Sequence, residues 1–189
     1  MSRLGKLAPG SLDDAQRRVY DAIAGGRRAQ GPQLFRLVDA DGGLEGPFNA
    51  FLLQPRLGHA LQALGSAVRY ETSLSDRARE LAILVVAVEH DSAFEWYAHA
   101  AVGRHLGLTE AELDAVRDRR FDALPSGSER VVAETTRALA TRGDLDDAEY
   151  QRAVTAVGPE GLFELLTLVG YYAMLALQLR VFRVGPPEA

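Results

Sequence analysis

The chain contains no cysteine. Disulfides, thiolate zinc sites and any thiol-based redox cycle are therefore excluded. Basic residues are outnumbered, 21 Lys and Arg against 26 Asp and Glu, for a net charge of -5. Phosphate binding needs a net basic face, so nucleic acid is not an expected partner. Paired arginines occur at Arg17 and Arg18, Arg27 and Arg28, and Arg119 and Arg120, but acidic residues lie near most of them, and they read as solvated helix faces. Long apolar runs are scarce as well. The opening MSRLGKLAPGSLDD has none, so it does not read as a signal peptide. Residues 161–179 are apolar apart from Glu164, Thr167 and Gln178. That run is slightly short of the roughly 20 residues a spanning helix needs. It also holds Gly170 and an acid, and reads as a buried core or subunit-interface helix. No membrane partner and a cytoplasmic location are expected.

Strand signals are equally thin. The best apolar run, LAILVVAV from Leu81, lies inside a longer pattern with no turn residues around it. What is present instead is helix punctuation. A small polar residue followed three positions later by Glu is the signature of a capping box. Ser92 with Glu95, Thr109 with Glu112, Ser126 with Glu129 and Asp146 with Glu149 all fit it. Gly107, Gly143 and Gly158 lie where C-terminal glycines belong. These signals predict helices over 12–24, 48–53, 56–70, 75–90, 93–106, 110–118, 127–142, 147–157 and 160–183. The segment 25–46, with six glycines and Pro32, is the least helical and reads as a surface loop or a pocket rim. At 189 residues, with no break in composition, the chain is expected to form a single all-α domain over 1–189.

The densest information lies in RARELAILVVAVEHDSAFEWYAHAAVGRHLG, from Arg77. One helix stops near His90 and Asp91 and the next begins at Ser92, a connection short enough to make the two antiparallel neighbours. Ser92, Glu95 and His99, spaced by three and four, form one stripe on the second helix. Glu80 lies eleven residues before Asp91 and His99 eight after it. At helical rise those lengths are about 16 and 12 Å, so the acid and the imidazole can meet across the hairpin. A carboxylate facing a histidine is a general acid–base arrangement, and Glu95 on the same face adds a second proton-handling group. Plainer readings exist for each residue. The capping box explains Glu95. Arg77 or Arg79 can pair with Glu80 at the surface. A histidine beside Trp96 and Tyr97 is often a satisfied core residue. The Glu95-to-His99 spacing also suits a metal, but there is no HExxH string or obvious third ligand. His90 reads as a helix-end residue favoured by the dipole.

The order R-x-R-E-L-A-I-L, E-W-x-x-H and G-L-T-E-A-E-L resembles the carboxymuconolactone decarboxylase family, which includes alkylhydroperoxidase D. The resemblance covers at least residues 44–120, and GYYAMLALQLRVF is similar to the family's last helix. It implies an alkylhydroperoxidase D-like helical bundle around a central antiparallel hairpin. In the family's peroxidase branch a Glu precedes a C-x-x-C pair and a His follows four residues after the second Cys. Here the Glu is Glu80, the His is His99, and the cysteine positions fall on Ser92 and Glu95. The resemblance thus keeps a proton-relay frame while both redox sulfurs are missing, which excludes disulfide-linked peroxide reduction. The decarboxylase branch implies a lyase that uses no metal and no organic cofactor on a small carboxylated or lactone metabolite. On that reading His99 donates a proton to carbon, Glu80 orients it and Glu95 is a second acid. Ser92, Trp96 and Asn49 are expected to bind substrate, Asn49 through a carbonyl or lactone oxygen. Arg79 and Arg104 are candidates for holding a substrate carboxylate. The family further implies a homo-oligomer, trimer or hexamer. The alternative is a non-catalytic ligand-binding or assembly protein with the same fold.

Overall fold

A computed structural model describes residues 2–30 and 32–187. Among these residues the regular structure is helical: α1 (Asp14–Ala24), α2 (Phe48–Phe51), α3 (Pro55–Tyr70), α4 (Asp76–Glu89), α5 (Ala93–His105), α6 (Glu110–Arg117), α7 (Ser128–Arg142) and α8 (Asp147–Phe182), with three short 3-10 turns. The one extended pairing among them is an isolated antiparallel bridge between Val38 and Leu44. The residues gather into two compact units, Thr72–Ala176 and Met1–Glu71 with Leu177–Ala189.

The unit Thr72–Ala176 is organised around α4, which packs against α5, α6 and α7. Ser75 caps α4 by accepting a hydrogen bond from the Ala78 amide. From Ala78 through Ala87 every residue of α4 is buried, so this helix is apolar on nearly all sides rather than amphipathic. Leu81, Leu84 and Val85 join Leu113, Val116, Phe121 and Leu124 in one core cluster. The helix ends in a Schellman turn. The Ser92 amide donates to the Ala87 carbonyl at 2.8 Å, the Asp91 amide to Val88 at 3.3 Å, and Asp91 takes φ 51°. That turn sets α5 running back along α4. At the far end of α5, Gly107 repeats the device with φ 87° and the Leu108 amide donates to Gly103.

The capping boxes divide. Thr109 with Glu112 and Asp146 with Glu149 form as expected. Ser126 with Glu129 does not: Gly127 occupies the cap of α7, and the Glu129 carboxylate accepts from Arg77 Nε at 3.1 Å instead. Gly158 breaks α8 with φ 74° and ψ 168°, directly before Pro159. It is the expected gap between the last two helical stretches. Helix α8 is long and apolar enough to cross a membrane by length and composition, but half of its most apolar stretch is buried inside the protein.

In the other unit α1 packs on α3, and α2 leads into α3. Asp13 and Gln16 form a reciprocal capping box at α1, a signal the Glu-based pattern passes over. Gly58 lies so close to α2 that a Cβ there would meet the Phe51 carbonyl oxygen at 2.0 Å. Part of the segment 25–46 borders a cleft of about 580 Å³, lined by Arg36, Asp39, Leu44 and Glu45 along with Lys6 and Arg183.

Candidate active site

Glu80 sits near the start of α4 and is 1% exposed; His99 sits on α5 and is 4% exposed. Because the hairpin returns at the Asp91 turn, the two side chains meet. His99 Nδ1 lies 2.6 Å from Glu80 Oε2. A carboxylate only accepts, so Nδ1–H donates and the ring's Nε2 is left facing the other way. On that other side Glu95 Oε2 lies 3.3 Å from Nε2. The imidazole is thus bracketed by two buried carboxylates, one from each helix of the hairpin. The Tyr172 ring stands edge-on to His99 at 5.2 Å between centroids, and Tyr171 stands edge-on to Tyr172.

Two plainer explanations of these residues are overturned. Ser92 is the N-cap of α5, but its side chain makes no capping hydrogen bond. Glu95 does not reach back to the cap either; its carboxylate turns to His99. The expected capping box at Ser92 is therefore absent, because the Glu95 carboxylate turns to the His99 imidazole one turn further along the helix. Glu80 does not lie at the surface, and the hydrogen bonds of the neighbouring arginines go to other groups. Arg77 donates to Glu112, Glu129 and the Gly107 carbonyl. Arg79 donates to the Leu74 carbonyl and pairs with Asp76.

Ser92 Oγ and Glu95 Oε1 are both buried and find no hydrogen-bond partner among the described residues. Buried polar atoms are nearly always satisfied, so such a pair calls for an explanation. The other expected substrate-binding residues lie as follows. Trp96 packs against the leucine-rich core cluster, and the Arg117 guanidinium lies 4.8 Å above its ring. Asn49, in the other unit, accepts from the Leu7 amide and donates to the Gly5 carbonyl, so its carboxamide ties down the N-terminal segment. Arg104 forms a two-pronged pair with Glu110. Among the described residues no three His, Asp or Glu side chains converge on a metal-sized position. The signal for Tyr172 was available as the second Tyr of GYYAML, but nothing in its spacing aimed it at His99.

Around Arg77 the charges form a supporting network beneath this hairpin. Hydrogen bonding to Glu129 is the main influence raising the Arg77 guanidinium's proton affinity, against its partial burial, with Glu112 adding to it. Burial opposes ionisation of Glu112. The Thr109 amide and hydroxyl and then Arg77 outweigh that and hold its carboxyl below the usual carboxylate range.

Residues 55–140 match the carboxymuconolactone decarboxylase family. The matched segment runs from α3 into α7 and carries Glu80, Ser92, Glu95, Trp96 and His99, and it holds no cysteine. The fold extends the likeness beyond that segment. It is similar to an alkylhydroperoxidase AhpD core protein, an uncharacterized peroxidase-related protein from Ralstonia eutropha. That match has 13% identity over 99% of this chain and 93% of that one, with a TM-score of 0.78. A peroxidase-related protein from Silicibacter sp. is similar at 14% identity, over 98% and 92% of the two chains, with a TM-score of 0.74. A variant of the debrominase Bmp8, solved with 2,3,4-tribromopyrrole, is similar at 11% identity, over 99% and 94%, with a TM-score of 0.72. At such identities the likeness is one of fold alone. No curated protein matches the sequence.

Proposed function

We propose that this chain is a lyase or isomerase of the carboxymuconolactone decarboxylase type that moves a proton on a small lactone or carboxylated metabolite, using its own side chains and no cofactor. One observation carries the reading. Glu80 and Glu95 address opposite nitrogens of a buried His99. In such a site Glu80 fixes the ring's tautomer and orientation, and Nε2 is the nitrogen that gives or takes the proton. Glu95, one turn before His99, is placed to share that proton or to hold a substrate group beside it. Burial strengthens each of these electrostatic contacts relative to water. The family match over residues 55–140 supports the substrate class.

The test is proton exchange. Purified protein is incubated in deuterium oxide with carboxymuconolactone and related lactones, and mass spectrometry follows deuterium entering carbon while released carbon dioxide is measured. The reading expects turnover that falls roughly 100-fold or more in His99→Gln, the usual scale for a positioned proton donor. Absence of exchange and of carbon dioxide across the panel would leave a ligand-binding or assembly role on the same fold. The reading includes a cytoplasmic homo-oligomer, trimer or hexamer. The exposed Phe163, Leu166, Leu177 and Val181 along α8 support association, which light scattering would measure.

A further inference from the structure

Glu95 is 3% exposed and Ser92 6% exposed, and both lie in the first turn of α5 or at its cap. Each keeps one oxygen without a partner among the described residues: Oε1 of Glu95 and Oγ of Ser92. Glu95 has His99 on its other oxygen, and no lysine or arginine among the described residues pairs with it. A carboxylate is acceptor-only, so the group that completes Oε1 is a donor. A hydroxyl such as Ser92 Oγ both donates and accepts, so it tolerates a ligand oxygen or nitrogen in either role. A second carboxylate brought against Oε1 sets acceptor against acceptor and leaves both buried oxygens without a donor, which is unfavourable.

We propose that Ser92 Oγ and Glu95 Oε1 form a recognition pair for a small neutral or cationic molecule that brings a hydroxyl or ammonium group to Glu95, and that this position rejects a carboxylate. The inference rests on the acid–base reading for its choice of a lactone ring and for placing the bound molecule beside His99. It goes beyond that reading by naming the group that faces Glu95 and by placing any carboxylate of the bound molecule away from it.

The experiment titrates the full chain by calorimetry with three probes: α-hydroxy-γ-butyrolactone, α-amino-γ-butyrolactone and γ-carboxy-γ-butyrolactone. The hydroxyl and ammonium lactones are expected to bind at least about tenfold tighter than the carboxylate, the scale of one hydrogen bond to a charged group. Glu95→Gln keeps the shape and an acceptor oxygen, so it should weaken the ammonium probe roughly tenfold while largely sparing the hydroxyl probe. Ser92→Ala should weaken all three. The proposal is overturned if the carboxylate binds as well as the others, if the ammonium probe keeps its full affinity in Glu95→Gln, or if none of the three binds. Should Glu95→Gln fail to fold, the three probes on the unaltered protein decide alone. A preference for the donor-bearing probes without deuterium exchange would sink the acid–base reading and leave this one standing. Exchange into carboxylated ligands with no such preference would do the reverse.

Discussion

His99 Nδ1 and Glu80 Oε2 lie 2.6 Å apart across nineteen residues of chain, both all but inaccessible to solvent. Their contact joins the two helices of the hairpin by a buried polar bond. Removing one partner of a buried hydrogen-bonded pair leaves the other without its bond, which costs about 1–3 kcal/mol. His99→Ala is therefore expected to lower unfolding free energy by about that amount in urea titrations. Replacing both Glu80 and His99 by leucine should recover much of the loss, since a well-packed apolar pair is often neutral or stabilising. Additive losses in the double variant would show that the two groups are not coupled.

The family resemblance implies that Ser92 and Glu95 occupy the positions at which its peroxidase branch has two sulfurs. The unaltered chain, with no cysteine, is expected to show no thiol-dependent peroxide reduction. A double substitution, Ser92→Cys with Glu95→Cys, places two thiols at the start of α5, beside an intact Glu80–His99 pair. A helix N-terminus lowers thiol pKa and raises reactivity. The variant should consume one peroxide per dithiol, forming a disulfide and losing two hydrogens by mass. If the thiols stay reduced under excess peroxide, the geometry at these positions differs from that of a redox pair.

The Glu112 carboxyl is held below its ordinary value of 4.5, with burial opposing and Thr109 and Arg77 prevailing. The sign follows from linkage. A group with a depressed folded-state value adds stability that is fully present above 4.5 and is lost as pH falls below it toward the folded-state value. Stability should therefore drop on acidification below that point, and Glu112→Gln should flatten part of the drop. The same variant should cost about 1–3 kcal/mol at neutral pH through the weakened bonds to Thr109 and Arg77. Denaturant titrations of both proteins at several pH values would check this, and parallel curves would refute it.

At Gly158 the backbone takes φ 74° and ψ 168°, a combination open to glycine and almost no other residue. Open space is not the constraint, since an added Cβ would meet nothing nearer than Glu160 Oε2 at 3.5 Å. Gly158→Ala is expected to cost about 1–3 kcal/mol from backbone strain alone. Thermal melts of the variant would show the loss, and an unchanged midpoint would mean the break relaxes into a different path.

Much of the helical plan was legible because it is written in local signals. Thr109 with Glu112, Asp146 with Glu149, and the glycines at 107, 143 and 158 end or begin helices where their chemistry says. The same signal misled at Ser92 and Ser126. Both have a glutamate three positions on, but Glu95 is drawn to His99 and Glu129 to Arg77, partners that no local pattern reveals. The meeting of Glu80 with His99 followed from helix rise and a short turn. The place of Tyr172 beside His99 depends on a helix far along the chain, and no spacing rule reaches that distance.

From Ala78 to Ala87 helix α4 offers solvent no face, and Glu80 is one of those ten residues. The acid that would orient the imidazole is thus embedded in the segment whose packing holds its half of the molecule together. A random mutational screen scored on activity will collect folding failures along this whole stretch and cannot tell them from chemical ones. Only changes that preserve volume, such as Glu80→Gln, separate the two, and the rest of the stretch has little freedom to drift without costing the protein its shape.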